Sequence, residues 1–145
     1  MTTMTTPTSG SGDPALLGRQ DGDVRGGPKA ILRLEGALVL AVASFIYDQI
    51  GSGWALFAIL FLVPDVSMLG CLLGRRIGAA IYNACHNYIL PAALGSCGYF
   101  AANHIAISVA LIWIAHIGFD RLVGYGLKYG SAFRHTHLGL GRNSA

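Results

Sequence analysis

Residues 36–64 read GALVLAVASFIYDQIGSGWALFAILFLVP and contain one formal charge, Asp48. Two apolar runs flank a short polar turn. Each run approaches the ~20 residues a helix needs to cross a ~30 Å hydrocarbon layer. The pattern continues outward: from Gly36 to Phe119 the only formal charges are Asp48, Asp65, Arg75 and Arg76. Across all 145 residues, 53% are hydrophobic and 12% are charged. A soluble domain carries about 25% charge. Together with a mean hydropathy of +0.53, this disfavours a water-soluble globule, a disordered chain or a nucleic-acid binder. No basic cluster shows the aromatic interleaving of a nucleic-acid platform.

The sequence predicts an all-α integral membrane protein, an up-and-down four-helix bundle. The expected spans are 30–47, 54–73, 77–94 and 99–119. Helix is the open choice because an isolated strand leaves its backbone unsatisfied in lipid. The expected links, 48–53, 74–76 and 95–98, are short and force antiparallel neighbours. Residues 1–28 are rich in Thr, Ser, Gly and Pro and read as a disordered tail. Residues 29–121 form the transmembrane domain, and 122–145, with mixed aromatic and basic residues, an interfacial segment. All ten Lys and Arg fall on one side of this arrangement, which places both termini in the cytoplasm. Gly36, Gly70, Gly78 and Gly118 read as close-packing positions.

Polar residues inside spans are costly and are functional candidates by default. Those near the cytoplasmic side are Glu35, Asp65, Asn83, His86, Asn87 and His116, followed by Asp120 and Arg121. At ~1.5 Å per residue, Asp65 and His86 lie at similar depth on neighbouring helices. His116 and Asp120 are i and i+4 and share a face. Pro64 disturbs the helix just before Asp65. Asp65, His86, His116 and Asp120 are thus the candidate catalytic set. They also have the ligand types of a Zn, Fe or Mn site, or of a metal-free acid–base relay. Asn83, Arg121 and Lys128 are candidate substrate-binding groups, the bases suiting an anionic head. His104 sits near the opposite side. His135 and His137 form a weak H-x-H signal in the tail.

Four ordered blocks carry a family resemblance: 64–70 (PDVSMLG), 82–88 (YNACHNY), 116–129 (HIGFDRLVGYGLKY) and 136–139 (THLG). They resemble the small bacterial membrane family called domain of unknown function 4260, from about Leu32 to Gly139. The resemblance implies a compact four-span protein of a bacterial cytoplasmic membrane and supplies no activity.

Three functions follow as expectations. The first is a membrane-embedded enzyme with a cytoplasm-facing polar cavity, divalent-metal-dependent or acid–base, acting on an apolar or lipid-like substrate. The second is a non-catalytic structural or partner-binding membrane protein whose polar groups fix helix register, with a homo-oligomer open. The third is a small-solute transporter, against which stand few spans and no evident inverted repeat.

Overall fold

The computed structural model describes residues 26–129, 132–136 and 139–140. The chain runs through α1 (Gly27–Ile50), α2 (Trp54–Phe61), a 3-10 segment (Pro64–Leu73), α3 (Arg75–Cys85), α4 (Ile89–Phe100) and α5 (His104–Val123). Three short strands follow: β1 (Lys128–Tyr129), β2 (Ala132–Thr136) and β3 (Gly139–Leu140). They form a small antiparallel sheet in the order β1-β2-β3. The sequence reading assigned no strand to this segment. The expected tail lies outside the described residues up to position 25, and α1 already begins at Gly27.

Two helices, α1 and α5, are long and apolar enough to cross a membrane. The other two expected spans are interrupted. In 54–73 the α-helix stops at Phe61 and continues as the 3-10 segment from Pro64. Pro64 lacks an N–H and crowds the preceding turn. In 77–94 the helix breaks between Cys85 and Ile89. Asn87 replaces the missing ladder there: its Nδ2 donates to the Asn83 and Ala84 carbonyls, both at 2.8 Å, and its Oδ1 accepts from the Ile89 N–H at 2.9 Å.

The expected link 95–98 lies within α4; the chain turns at Ala101–Asn103 instead. Ala102 adopts φ 50°. Its N–H bonds to the Tyr99 carbonyl at 3.1 Å, and that of Asn103 to the Gly98 carbonyl at 2.8 Å. This is a Schellman closure made with alanine where glycine is usual. Asn103 then caps α5 through a 3.1 Å bond from the Ala106 N–H.

Helix α5 is the axis of the structure. Helix α1 lies antiparallel to it, and the two backbones meet where neither residue has a side chain. A Cβ on Gly36 would lie 2.7 Å from the Gly118 carbonyl oxygen, and one on Gly118 would lie 2.8 Å from the Leu40 nitrogen. At the far end of the pair Ser52 and Ser108 share a 2.6 Å hydrogen bond. Helices α3 and α4 follow α5 in succession: Tyr82 bonds Asp120, Trp113 Nε1 donates to the Cys85 carbonyl at 2.6 Å, and Gly98 abuts Ala106. The 3-10 segment packs on α3, with Gly70 against Ile81. Tyr47, Ala110, Ile112, Ala115 and Ile117 form the buried core. Much of the exterior is apolar: Leu34, Phe45, Leu62, Leu72 and Phe100 are all more than 60% exposed.

Candidate metal centre

Three elements converge where α5 enters its last two turns. His116 and Asp120 project from α5, His86 follows the last residue of α3, and Asp65 stands second in the 3-10 segment. The breaks that interrupt the two expected spans therefore deliver Asp65 and His86. Irregular backbone at such a point is tolerated where protein satisfies it.

His86 Nε2 and His116 Nε2 lie 3.3 Å apart. Asp65 Oδ1 is 3.7 Å from each of them. Asp120 Oδ2 is 3.4 Å from His86 Nε2 and 3.8 Å from His116 Nε2. Ligands bound to zinc at ~2.0–2.1 Å in a tetrahedron are separated by about 3.4 Å. The Asp65, His86 and His116 atoms match one face of such a figure, and they form a three-residue group able to hold a metal ion. His86 and His116 are 3% and 2% exposed, Asp120 13%, and Asp65 46%, so the site is accessible from the Asp65 side.

The surrounding groups orient this set. His86 Nδ1 lies 3.0 Å from the Tyr82 carbonyl oxygen. A carbonyl only accepts, so Nδ1 carries the proton and Nε2 of the neutral ring turns its lone pair inward, the arrangement that fixes a ligating histidine. Tyr82 stacks on His86 at 3.8 Å between ring centroids, and its hydroxyl donates to Asp120 Oδ2 at 3.3 Å. Phe61 meets His116 edge-on at 5.2 Å. His116 Nδ1 is buried and has no hydrogen-bond partner. Two carboxylate oxygens and a lone pair thus converge on one point, which favours a positive charge there.

The other candidate residues have different places. Asn83 clamps the backbone of β1: its Nδ2 donates to the Lys128 carbonyl at 2.9 Å and its Oδ1 accepts from the Lys128 N–H at 2.7 Å. Its amide thereby ties the C-terminal strands to α3, a backbone contact rather than the substrate contact expected of it. Lys128 Nζ sits 3.9 Å over the Tyr82 ring, at the margin of the centre. Arg121 is turned towards Tyr88, 5.9 Å from its ring centroid. Glu35 is exposed on α1, and His104 is exposed at the other end of α5. His135 lies on β2, and His137 lies outside the described residues. Tyr82 was missed in the sequence reading, although its place four residues before His86 puts both on one helical face.

The model of one protein family, described as Domain of unknown function (DUF4260), matches residues 29–140. No curated protein and no solved structure matches the chain.

Proposed function

The chain belongs to the DUF4260 family, whose description assigns no activity; from the geometry of its site we propose that it is a membrane-embedded hydrolase dependent on a divalent metal. One observation carries this reading: Asp65 Oδ1, His86 Nε2 and His116 Nε2, from three separate elements, stand 3.3–3.7 Å apart and face one point. Two histidines and a carboxylate with one open position is a donor set suited to catalytic zinc and to related first-row metals.

A bound divalent cation supplies Lewis acidity and lowers the pKa of water. The protein supplies the rest. Asp120, oriented by the Tyr82 hydroxyl, accepts the proton of the attacking water. The water oxygen adds to the carbonyl carbon of an ester; the carbon–oxygen bond then breaks, and the departing oxygen takes the proton back from Asp120. The products are a carboxylic acid and an alcohol. This class needs no co-reactant beyond water. Lys128, beside Tyr82, and Arg121, beside Tyr88, lie on the side where an anionic head group approaches.

In this reading α1 and α5 cross the bilayer as continuous helices, and α2 with the 3-10 segment and α3 with α4 cross as broken ones. The exposed apolar exterior supports it, because large contiguous apolar surface is rare on soluble monomers. Arg33, which donates to the Leu122 carbonyl at 2.7 Å, and Lys29 lie at the same end as Arg121. That end is the cytoplasmic one by the positive-inside rule.

Cobalt substitution tests the centre. Detergent-purified protein loaded with Co²⁺ develops visible d–d absorption of tetrahedral intensity in the wild type, and this absorption is lost in His116→Ala. A spectrum indistinguishable from aqueous Co²⁺ sinks the metal reading and leaves the 3.3 Å nitrogen pair as a proton-sharing contact.

A further inference from the structure

A cavity of about 420 Å³ lies beside the centre, within the ~300–1,000 Å³ typical of small-molecule sites. Its walls interleave with the centre residue by residue. Leu60, Pro64, Ile81 and Cys85 line the cavity. Their immediate successors in the chain are Phe61, against His116, Asp65, Tyr82 and His86. On α5 the cavity residues Val109 and Trp113 continue at helical spacing into His116 and Asp120, so one face of the helix runs from cavity to centre. The cavity wall carries no formal charge. Two of its members, Val63 and Val66, are 51% and 59% exposed on the apolar exterior. The mouth therefore opens towards the surface assigned to hydrocarbon. The one hydroxyl in the wall belongs to Ser67, whose Oγ is shielded from solvent and makes no hydrogen bond. Ser67 follows Asp65 by two residues, ~4 Å along a 3-10 helix.

We propose that this cavity holds the unbranched acyl chain of an ester substrate, entering from the bilayer between Val63 and Val66. Ser67 meets the oxygen-bearing end of the chain beside Asp65. A hydrocarbon wall recognises a chain by burial alone, and a buried hydroxyl without a partner gains from an incoming acceptor. The assignment of the chain to a substrate rests on the hydrolytic reading of the neighbouring centre; the binding of the chain does not.

The test uses Trp113 as its reporter. Trp54→Phe removes the other tryptophan, since the chain has two. The full chain in detergent is titrated with methyl 12-bromododecanoate, whose bromine quenches a nearby indole. Quenching is expected to saturate and to reverse with methyl dodecanoate. Val109→Phe, which fills the cavity, raises the half-saturating concentration at least 10-fold. Ser67→Ala weakens the ester about 5-fold, the worth of one hydrogen bond, and leaves 1-bromododecane unaffected. Quenching that is linear in probe and indifferent to both variants overturns the proposal, because it reports partition into detergent only. The same titration in His86→Ala separates the two readings. Saturation there, with no cobalt bands in the wild type, keeps the cavity and removes the metal. Cobalt bands in the wild type with linear quenching do the reverse.

Discussion

His86 and His116 present their Nε2 atoms to each other at 3.3 Å, although thirty positions separate them in the chain. Two neutral imidazoles in that arrangement satisfy each other only if one carries its proton on Nε2. His86 does not, because its Nδ1 proton is committed to the Tyr82 carbonyl. The two carboxylates add further acceptors at 3.4–3.8 Å. Without a metal, His116 therefore carries its proton on Nε2 and donates it to His86; in the proposed metal-bound state a divalent cation takes the place of that proton, and the ligand and base roles follow from which atoms face it.

Asp120→Asn and Tyr82→Phe separate those roles. Asn keeps the shape of Asp120 but cannot take a proton, so hydrolysis of a dodecanoyl ester is expected to fall at least 100-fold, within the range for lost general-base catalysis. Metal stoichiometry is unchanged. Tyr82→Phe retains the stacking on His86 and removes the hydroxyl donor, for an expected loss of about 10-fold. Activity assays beside metal analysis of the same preparations check both. Loss of the metal in Asp120→Asn makes Asp120 a ligand instead.

Asn83→Ala removes both bonds to the Lys128 backbone. At ~0.5–1.5 kcal/mol per hydrogen bond, the cost is about 1–3 kcal/mol and falls on the attachment of the C-terminal strands. Tryptic cleavage after Lys128 accelerates, while metal content is retained. Unchanged cleavage contradicts the clamp.

Gly118→Ala forces a Cβ to within 2.8 Å of the Leu40 nitrogen and 2.9 Å of the Gly36 oxygen. Backbone cannot rotate away as a side chain can, so the α1–α5 pair must separate, at about 1–3 kcal/mol. Gly95→Ala meets only the Ala110 methyl at 3.2 Å and costs less. Thermal unfolding in detergent ranks the two; equal midpoints count against close α1–α5 packing.

Ala102→Gly acts in the opposite direction. An alanine in the left-handed region costs roughly 1–2 kcal/mol, which glycine avoids. Offset by the greater chain entropy of glycine, the net gain is about 0.5–1 kcal/mol. A rise in the unfolding midpoint checks it, and a fall shows that the turn between α4 and α5 is not held in that conformation.

The four side chains that the fold brings together were easier to read from the sequence than the helix boundaries. Asp65, His86, His116 and Asp120 are legible because ionisable groups stand out in an apolar background, and residue counting gives their depth. The interruption at 62–63 is signalled by Pro64, whereas the one at 86–88 is not legible from hydropathy, which sums side chains and is blind to the backbone bonds that Asn87 replaces. The GSCG run at 95–98 resembles a turn in composition, yet its glycines serve contact with α5: a Cβ on Gly98 would lie 2.9 Å from the Ala106 methyl. The Asn83–Lys128 clamp spans forty-five positions and leaves no local signature, so Asn83 read as a ligand-facing amide. The strands of the C-terminal segment were missed for another reason. Their pairing is local, Lys128 with Thr136 and His135 with Leu140, but the mixed aromatic and basic composition fits a membrane surface as well as a sheet.

Metal content of the full chain, purified in detergent without chelators and reloaded with Zn²⁺, Mn²⁺ or Fe²⁺, tests the central claim most directly. The account predicts one ion per chain in the wild type and in Asn83→Ala. It predicts at least a ~100-fold weaker affinity in His86→Ala, His116→Ala and Asp65→Ala, since even the groups that merely orient ligands are worth 10–100-fold. A wild-type protein that takes up none of the three metals, or variants that bind as the wild type does, contradicts it.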